Sequence, residues 1–128
     1  MPKKLLLADD EPGILALVSA TLGEDRRFTT STARDGLEAL RVAQRERPDV
    51  LLLDVRMPKM DGVAVCRALR KDPSNAHMKI VMLSANVQAT ERRRGLEAGA
   101  DDYLVKPFSP KALIQKLEEM LGLEQQTA

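Results

Sequence analysis

Five residues from four separate stretches of the chain carry the chemistry this sequence offers: Asp9, Asp10, Asp54, Ser84 and Lys106. Each follows a short apolar or β-prone run. Asp9-Asp10 come after Leu5–Ala8, Asp54 after Val50–Leu53, Ser84 after Ile80–Leu83, and Lys106 after Asp102–Val105. If those runs are parallel strands, the five side chains leave the sheet along one edge. Three carboxylates gathered there repel one another and raise at least one pKa unless positive charge intervenes. Lys106 reduces the net charge of the set to −2, and one divalent cation brings it to zero. An oxygen-only donor set with few carboxylates favours Mg²⁺, which keeps several waters and bridges carboxylates to phosphate. Mn²⁺ can substitute. Zn²⁺ is disfavoured, since no histidine or cysteine is placed to help. In such a site Asp54 is a carboxylate nucleophile able to form an acyl phosphate. Phosphoryl transfer needs positioning and charge neutralisation more than a proton shuttle. The cation, Lys106 and the Ser84 hydroxyl would supply both.

The positioning elements are legible as an alternation. The three continuous runs Leu5–Ala8, Val50–Leu53 and Ile80–Leu83 read as strands covered on both faces. Phe28–Ala33, rich in β-branched residues, and Asp102–Val105, stopped by Pro107, are two weaker strands. Between them lie helical patterns. Pro12 opens a helix with Ile14, Leu15, Val18 and Leu22 on one stripe and Gly23 as its stop. Asp35-Gly36-Leu37-Glu38 reads as an N-cap leading into Leu37, Leu40 and Ala43. Asp61-Gly62 opens a third helix that Pro73 is expected to end. Gln88–Ala98 is expected to be helical with a thin stripe (Ala89 and Leu96) under Arg92, Arg93 and Arg94, and so the least firmly packed. Ser109-Pro110 caps a last helix carrying Leu113, Leu117, Met120 and Leu121, closed by Gly122. The sum is a doubly wound α/β domain, (βα)₅, with parallel strands and helices on both faces. Its expected functional crevice lies outside the carboxyl ends of the strands.

Bulk properties exclude several classes. At 128 residues the chain fits one domain, expected over 1–122, with 123–128 a polar tail. Lysine plus arginine number 20 against 19 acids, so no global field draws the domain to nucleic acid or membrane. No apolar run approaches the roughly 20 residues needed to cross a bilayer. The start, Met1-Pro2-Lys3-Lys4 and a short apolar run, does not read as a secretory leader, and none is expected. The lone Cys66 makes no internal disulfide and reads as a buried helix thiol, suiting a reducing compartment. A soluble, cytoplasmic protein is the expectation.

Taken singly, the site residues have plainer readings. Asp10 could cap the helix at Pro12, and Asp9 could be a solvated strand end. Ser84 could be a turn residue, Lys106 a surface lysine, and Tyr103 a strand residue with a wet hydroxyl. Asp54 is harder to dismiss, because an acid directly after Leu51-Leu52-Leu53 is costly to bury unpaired. His77, in the loop Pro73–His77, reads as a surface residue.

Four motifs in order make the chain resemble the receiver (response regulator) family of phosphorelay proteins, over about Lys3 to Leu121. They are Leu7-Ala8-Asp9-Asp10-Glu11-Pro12, Leu53–Gly62 with Asp54 and Met57-Pro58-Lys59-Met60-Asp61, Leu83-Ser84-Ala85, and Gly99–Phe108 with Asp101-Asp102-Tyr103 and Lys106-Pro107. The resemblance implies strand order 2-1-3-4-5, for which a chemotaxis receiver is a stock example. It implies that Asp54 accepts phosphate from a phosphohistidine on a sensor histidine kinase or phosphotransfer protein. Asp10, Asp54 and the backbone carbonyl of Arg56 would ligate Mg²⁺, with Asp9 acting largely through water. Ser84 and Lys106 would grip the phosphoryl oxygens. Tyr103 would rotate inward as Ser84 moves, reshaping the surface of the fourth helix, fifth strand and fifth helix. Arg56 and Asn86 stand at variable places thought to tune dephosphorylation.

Other classes fit less well. A phosphatase with an aspartyl-phosphate intermediate needs a second aspartate two residues past the nucleophile, and Arg56 stands there. The chain is therefore expected to catalyse only its own phosphorylation and dephosphorylation. A nucleotide- or flavin-binding domain needs a glycine-rich loop after the first strand, where Asp9-Asp10-Glu11-Pro12 would repel phosphate. A stand-alone receiver would dock a downstream protein. One followed by an output domain would dimerise on phosphorylation or release that domain, and both modes stay open.

Overall fold

The computed structural model describes residues 2–85 and 88–125. Its elements are β1 (Lys3–Ala8), α1 (Pro12–Leu22), β2 (Phe28–Ala33), α2 (Gly36–Glu46), β3 (Val50–Asp54), α3 (Gly62–Arg70), β4 (Lys79–Ser84), α4 (Ala89–Glu97), β5 (Asp102–Val105) and α5 (Pro110–Leu121). All strand pairs are parallel, in order β2-β1-β3-β4-β5. This is the (βα)₅ sheet expected, in the order the resemblance implied.

The continuous apolar runs are used on both faces, because successive strand side chains point opposite ways. Leu6, Leu51, Leu53, Ile80 and Met82 pack with Ala39 and Val42 of α2 and with Val63, Cys66 and Leu69 of α3. Leu5, Leu7, Leu52, Val81 and Leu83 pack on the other face with Ile14 and Val18 of α1 and with Leu113 and Leu117 of α5. A fully buried leucine contributes roughly 1.5–3 kcal/mol. The doubly buried central strands therefore fix the register that aligns the strand ends.

Local signals set the helix starts. Asp35, Asp61 and Ser109 each accept a hydrogen bond from the backbone N–H three residues on. Gly122, at φ 64°, closes α5 in the left-handed conformation that glycine tolerates best. Three expectations need correction. Of the expected α2 stripe, Ala43 is buried and Leu40 packs against the core beside Ala39 and Val42, but Leu37 is exposed; Gly36 packs against the Met60 backbone at the start of that helix. The third helix ends at Arg70, before Pro73, which instead starts a separate 3₁₀ turn (Pro73–Asn75) capped by Asp72. In α4 neither Ala89 nor Leu96 is buried; Gly95 is, facing Tyr103. That helix is nonetheless as thinly packed as expected. Cys66 is buried, its thiol 3.5 Å from the Ala98 carbonyl. Asn86 and the last three residues of the expected tail lie outside the described residues.

Candidate functional site

The residues beyond β1, β3, β4 and β5 line one cleft of about 340 Å³. Asp10, Glu11, Asp54, Arg56, Ser84 and Lys106 are among its walls. Backbone bonds that run on past the ladders hold them there. Asp9 N–H donates to the Ala33 carbonyl at 3.0 Å, Val55 N–H to Leu83 at 3.1 Å, and Lys106 N–H to Ser84 at 2.9 Å. The loop after β3 is pinned from below. Gly62 N–H donates to the Val55 carbonyl at 2.8 Å, and a Cβ on Gly62 would fall 2.3 Å from the Asp54 carbonyl oxygen. Only glycine lets α3 begin so close to the Asp54 backbone. The Lys106–Pro107 peptide is cis.

Lys106 is the hub. Its Nζ lies 2.8 Å from Asp9 Oδ2, 2.8 Å from Glu11 Oε1 and 3.3 Å from Asp54 Oδ2. Asp9 is fully buried and Asp54 is 6% exposed. Burial, and next the Asp9 charge, push the Asp54 carboxyl up to about 6, against the pull of Lys106. Burial also opposes the charge on Lys106. Its bonds to Asp9 and Glu11 and the Asp54 charge prevail, holding its pKa above the ordinary lysine value. The cluster is thus short of positive charge, as an acidic cation site should be. Single carboxylate oxygens of Asp9, Glu11 and Asp54 lie within 4.8 Å of one another, close enough to share one ion. An oxygen-only set of this kind fits Mg²⁺.

Asp10 is exposed at the cleft mouth and does not cap α1; Glu11 occupies that position, and its N–H donates to Asp9 Oδ1 at 2.9 Å. Arg56 is exposed, and its N–H donates to Asp54 Oδ1 at 3.2 Å. Ser84 is 5% exposed, with its hydroxyl 3.4 Å from Glu91 Oε1. Tyr103 is already inward, 5% exposed, and its hydroxyl donates to the Glu91 carbonyl at 2.7 Å. Burial and the neighbouring Glu91 raise its pKa. Two residues had no assigned role in the sequence. Glu11 is marked only by extending the Asp-Asp pair into a third acid. Glu91 carries no local signal, because its neighbours are fixed by how α4 lies on β4 and β5.

Comparison with known proteins decides the family. The family model described as the response regulator receiver domain matches residues 5–118. The chain belongs to that family. It is 42% identical over 121 residues to the alkaline phosphatase synthesis transcriptional regulatory protein PhoP of Bacillus subtilis, covering 94% of this chain and 49% of that one. It superposes on the chemotaxis response regulator CheY4 of Vibrio cholerae with TM-score 0.88 and 36% identity, covering 94% of this chain and 99% of the other. It is similar also to the receiver domain of the sensor histidine kinase PA1611 of Pseudomonas aeruginosa (TM-score 0.86, 32% identity, 95% of this chain and 99% of that one). That structure has a magnesium ion coordinated in its active site cleft. This receiver domain spans about half the length of the curated relatives it matches. Its acidic pocket of Asp9, Glu11 and Asp54 fits a phosphorylation site. Among the described residues no helix is long and apolar enough to cross a membrane.

Proposed function

We propose that Asp54 accepts a phosphoryl group from a phosphohistidine on a sensor histidine kinase or phosphotransfer protein, with Mg²⁺ present. The observation that carries this reading is the Lys106 ammonium 3.3 Å from Asp54 Oδ2, in a cleft that Ser84 also lines. A carboxylate oxygen of Asp54 forms the new O–P bond as the N–P bond to the donor imidazole breaks; the released imidazole takes its proton from water. Lys106 and the Ser84 hydroxyl contact the phosphoryl oxygens. Asp9, Asp10, Asp54 and the Arg56 carbonyl would hold Mg²⁺, which when bound would neutralise oxygen charge; Mn²⁺ could replace it. No external substrate is turned over. Residues 1–122 form the receiver, and 123–128 lead out of it.

Phosphorylation of Asp54 alters the α4–β5–α5 surface, which controls a downstream protein or an output domain. The domain works in the cytoplasm and contacts neither lipid nor nucleic acid itself. Incubation with Mg²⁺ and acetyl phosphate should add one phosphoryl group, labile to base and hydroxylamine, and Asp54→Asn should remove it. Labelling that survives this substitution, or proceeds equally in excess chelator, would defeat the reading. Size measurement with and without beryllofluoride distinguishes a phosphorylation-driven homodimer from a monomeric docking partner.

A further inference from the structure

Glu91, in the first turn of α4, touches both residues assigned to the switch. Its carboxylate oxygen lies 3.4 Å from the Ser84 hydroxyl, and its main-chain carbonyl accepts the Tyr103 hydroxyl at 2.7 Å. One turn on, Gly95 makes that arrangement feasible, since a Cβ there would fall 2.2 Å from the Tyr103 oxygen. The rest of α4 adds little anchorage, Gly95 being its buried residue. Ser84 and Tyr103, on neighbouring strands β4 and β5, are therefore tied to the same helical residue.

A serine hydroxyl has one proton to donate. When it points at the Glu91 carboxylate it is not pointing at an oxygen on Asp54. We propose that Glu91 is a positioning residue that competes with the phosphoryl group for the Ser84 hydroxyl, and so sets how readily the phosphorylated state is held. The inference rests on the function proposed above. Redirection of the Ser84 hydrogen bond from Glu91 to a phosphoryl oxygen releases the Glu91 carboxylate from that contact. The same residue's carbonyl still bonds Tyr103, so α4 feels the exchange at the turn that holds that ring. The side chain and the carbonyl thus have separable roles, and substitution reaches only the first.

The test uses the full chain with Mg²⁺ and beryllofluoride, a phosphoryl mimic, titrated by fluorine NMR. Glu91→Gln keeps the side-chain size and the carbonyl bond to Tyr103, and should tighten beryllofluoride binding about fivefold, the scale of one hydrogen bond. Mg²⁺ affinity should not move, which a general loosening of the fold would not respect. In a Ser84→Ala background the same substitution should change beryllofluoride affinity by less than about twofold. Glu91→Ala, which removes the competing acceptor altogether where glutamine leaves a weaker neutral one, should tighten binding at least as much as Glu91→Gln. An unchanged affinity in Glu91→Gln, or an equal gain without the Ser84 hydroxyl, overturns the role of Glu91 while labelling of Asp54 still stands. Failure of the unsubstituted chain to bind beryllofluoride or take label at Asp54 overturns both.

Discussion

The ammonium of Lys106, just past β5, lies 3.3 Å from the carboxylate of Asp54, the last residue of β3. They are not on adjacent strands; β4 separates them in the sheet. The contact exists because a long side chain crosses the Ser84 position and ends among Asp9, Glu11 and Asp54. A lysine so placed restrains the acids at rest and is in reach of any group attached to Asp54.

Lys106→Ala should therefore separate two properties. Mg²⁺ affinity should stay within about threefold, since the oxygen ligands remain, while the response to beryllofluoride is lost. Without metal, the remaining buried acids should cost the fold roughly 3–5 kcal/mol. Urea unfolding with and without Mg²⁺ reads the stability, and a variant as stable as the parent without metal would contradict it.

Stability of the metal-free chain should depend on pH through Asp54. Its folded pKa, about 6, exceeds the 3.8 of an ordinary aspartate, so protonation favours the folded state. That contribution is complete below pH 3.8 and is lost as pH rises through about 6. Asp54→Asn, which cannot ionise, should remove this slope. It should raise the melting temperature at neutral pH by several degrees, for about 1 kcal/mol in a domain of this size. Thermal melts across that interval, on protein and variant in chelator, supply the check.

Asp10 and Glu11 should differ in their metal dependence. Asp10→Ala should weaken Mg²⁺ by more than about tenfold, the scale of losing a carboxylate ligand or its close support. Glu11→Gln, which removes a partner of Lys106 at an exposed position, should weaken it by less. Calorimetric titration with Mg²⁺ gives both, and unchanged affinity in Asp10→Ala removes that residue from the site.

Gly95→Ala should expel the Tyr103 ring, because the new methyl would overlap its hydroxyl. The chain has a single tyrosine and no tryptophan, so its fluorescence reports this ring directly. Acrylamide quenching should increase sharply, with a stability loss of roughly 1–3 kcal/mol. Quenching equal to the parent's would mean the ring and helix are not in contact.

Most of the framework is legible in the chain because each signal is local. Uninterrupted apolar runs mark strands buried twice, and the acids directly after them mark the edge. Asp35, Asp61 and Ser109 announce their helices by the cap chemistry each performs. What stays hidden depends on rotation and distance. The exposure of Leu37 goes with Gly36 meeting Met60, a contact across 24 residues that no periodicity encodes. The failure of the Ala89 and Leu96 stripe has the same origin, since Tyr103 selects Gly95 as the contact point of α4. Glu11 could be glimpsed in the Asp-Asp-Glu run, but its bond to Lys106 spans the whole fold.

On the proposed function one carboxylate, Asp54, is the chemical end-point of the cleft. Borohydride reduction of the chain after Mg²⁺ and acetyl phosphate converts an aspartyl phosphate to homoserine, and peptide mass mapping locates it. Homoserine is expected at position 54 alone, and is expected to be absent when chelator replaces Mg²⁺. Homoserine at Asp9 or Asp10, or none in a chain that binds Mg²⁺, would contradict it.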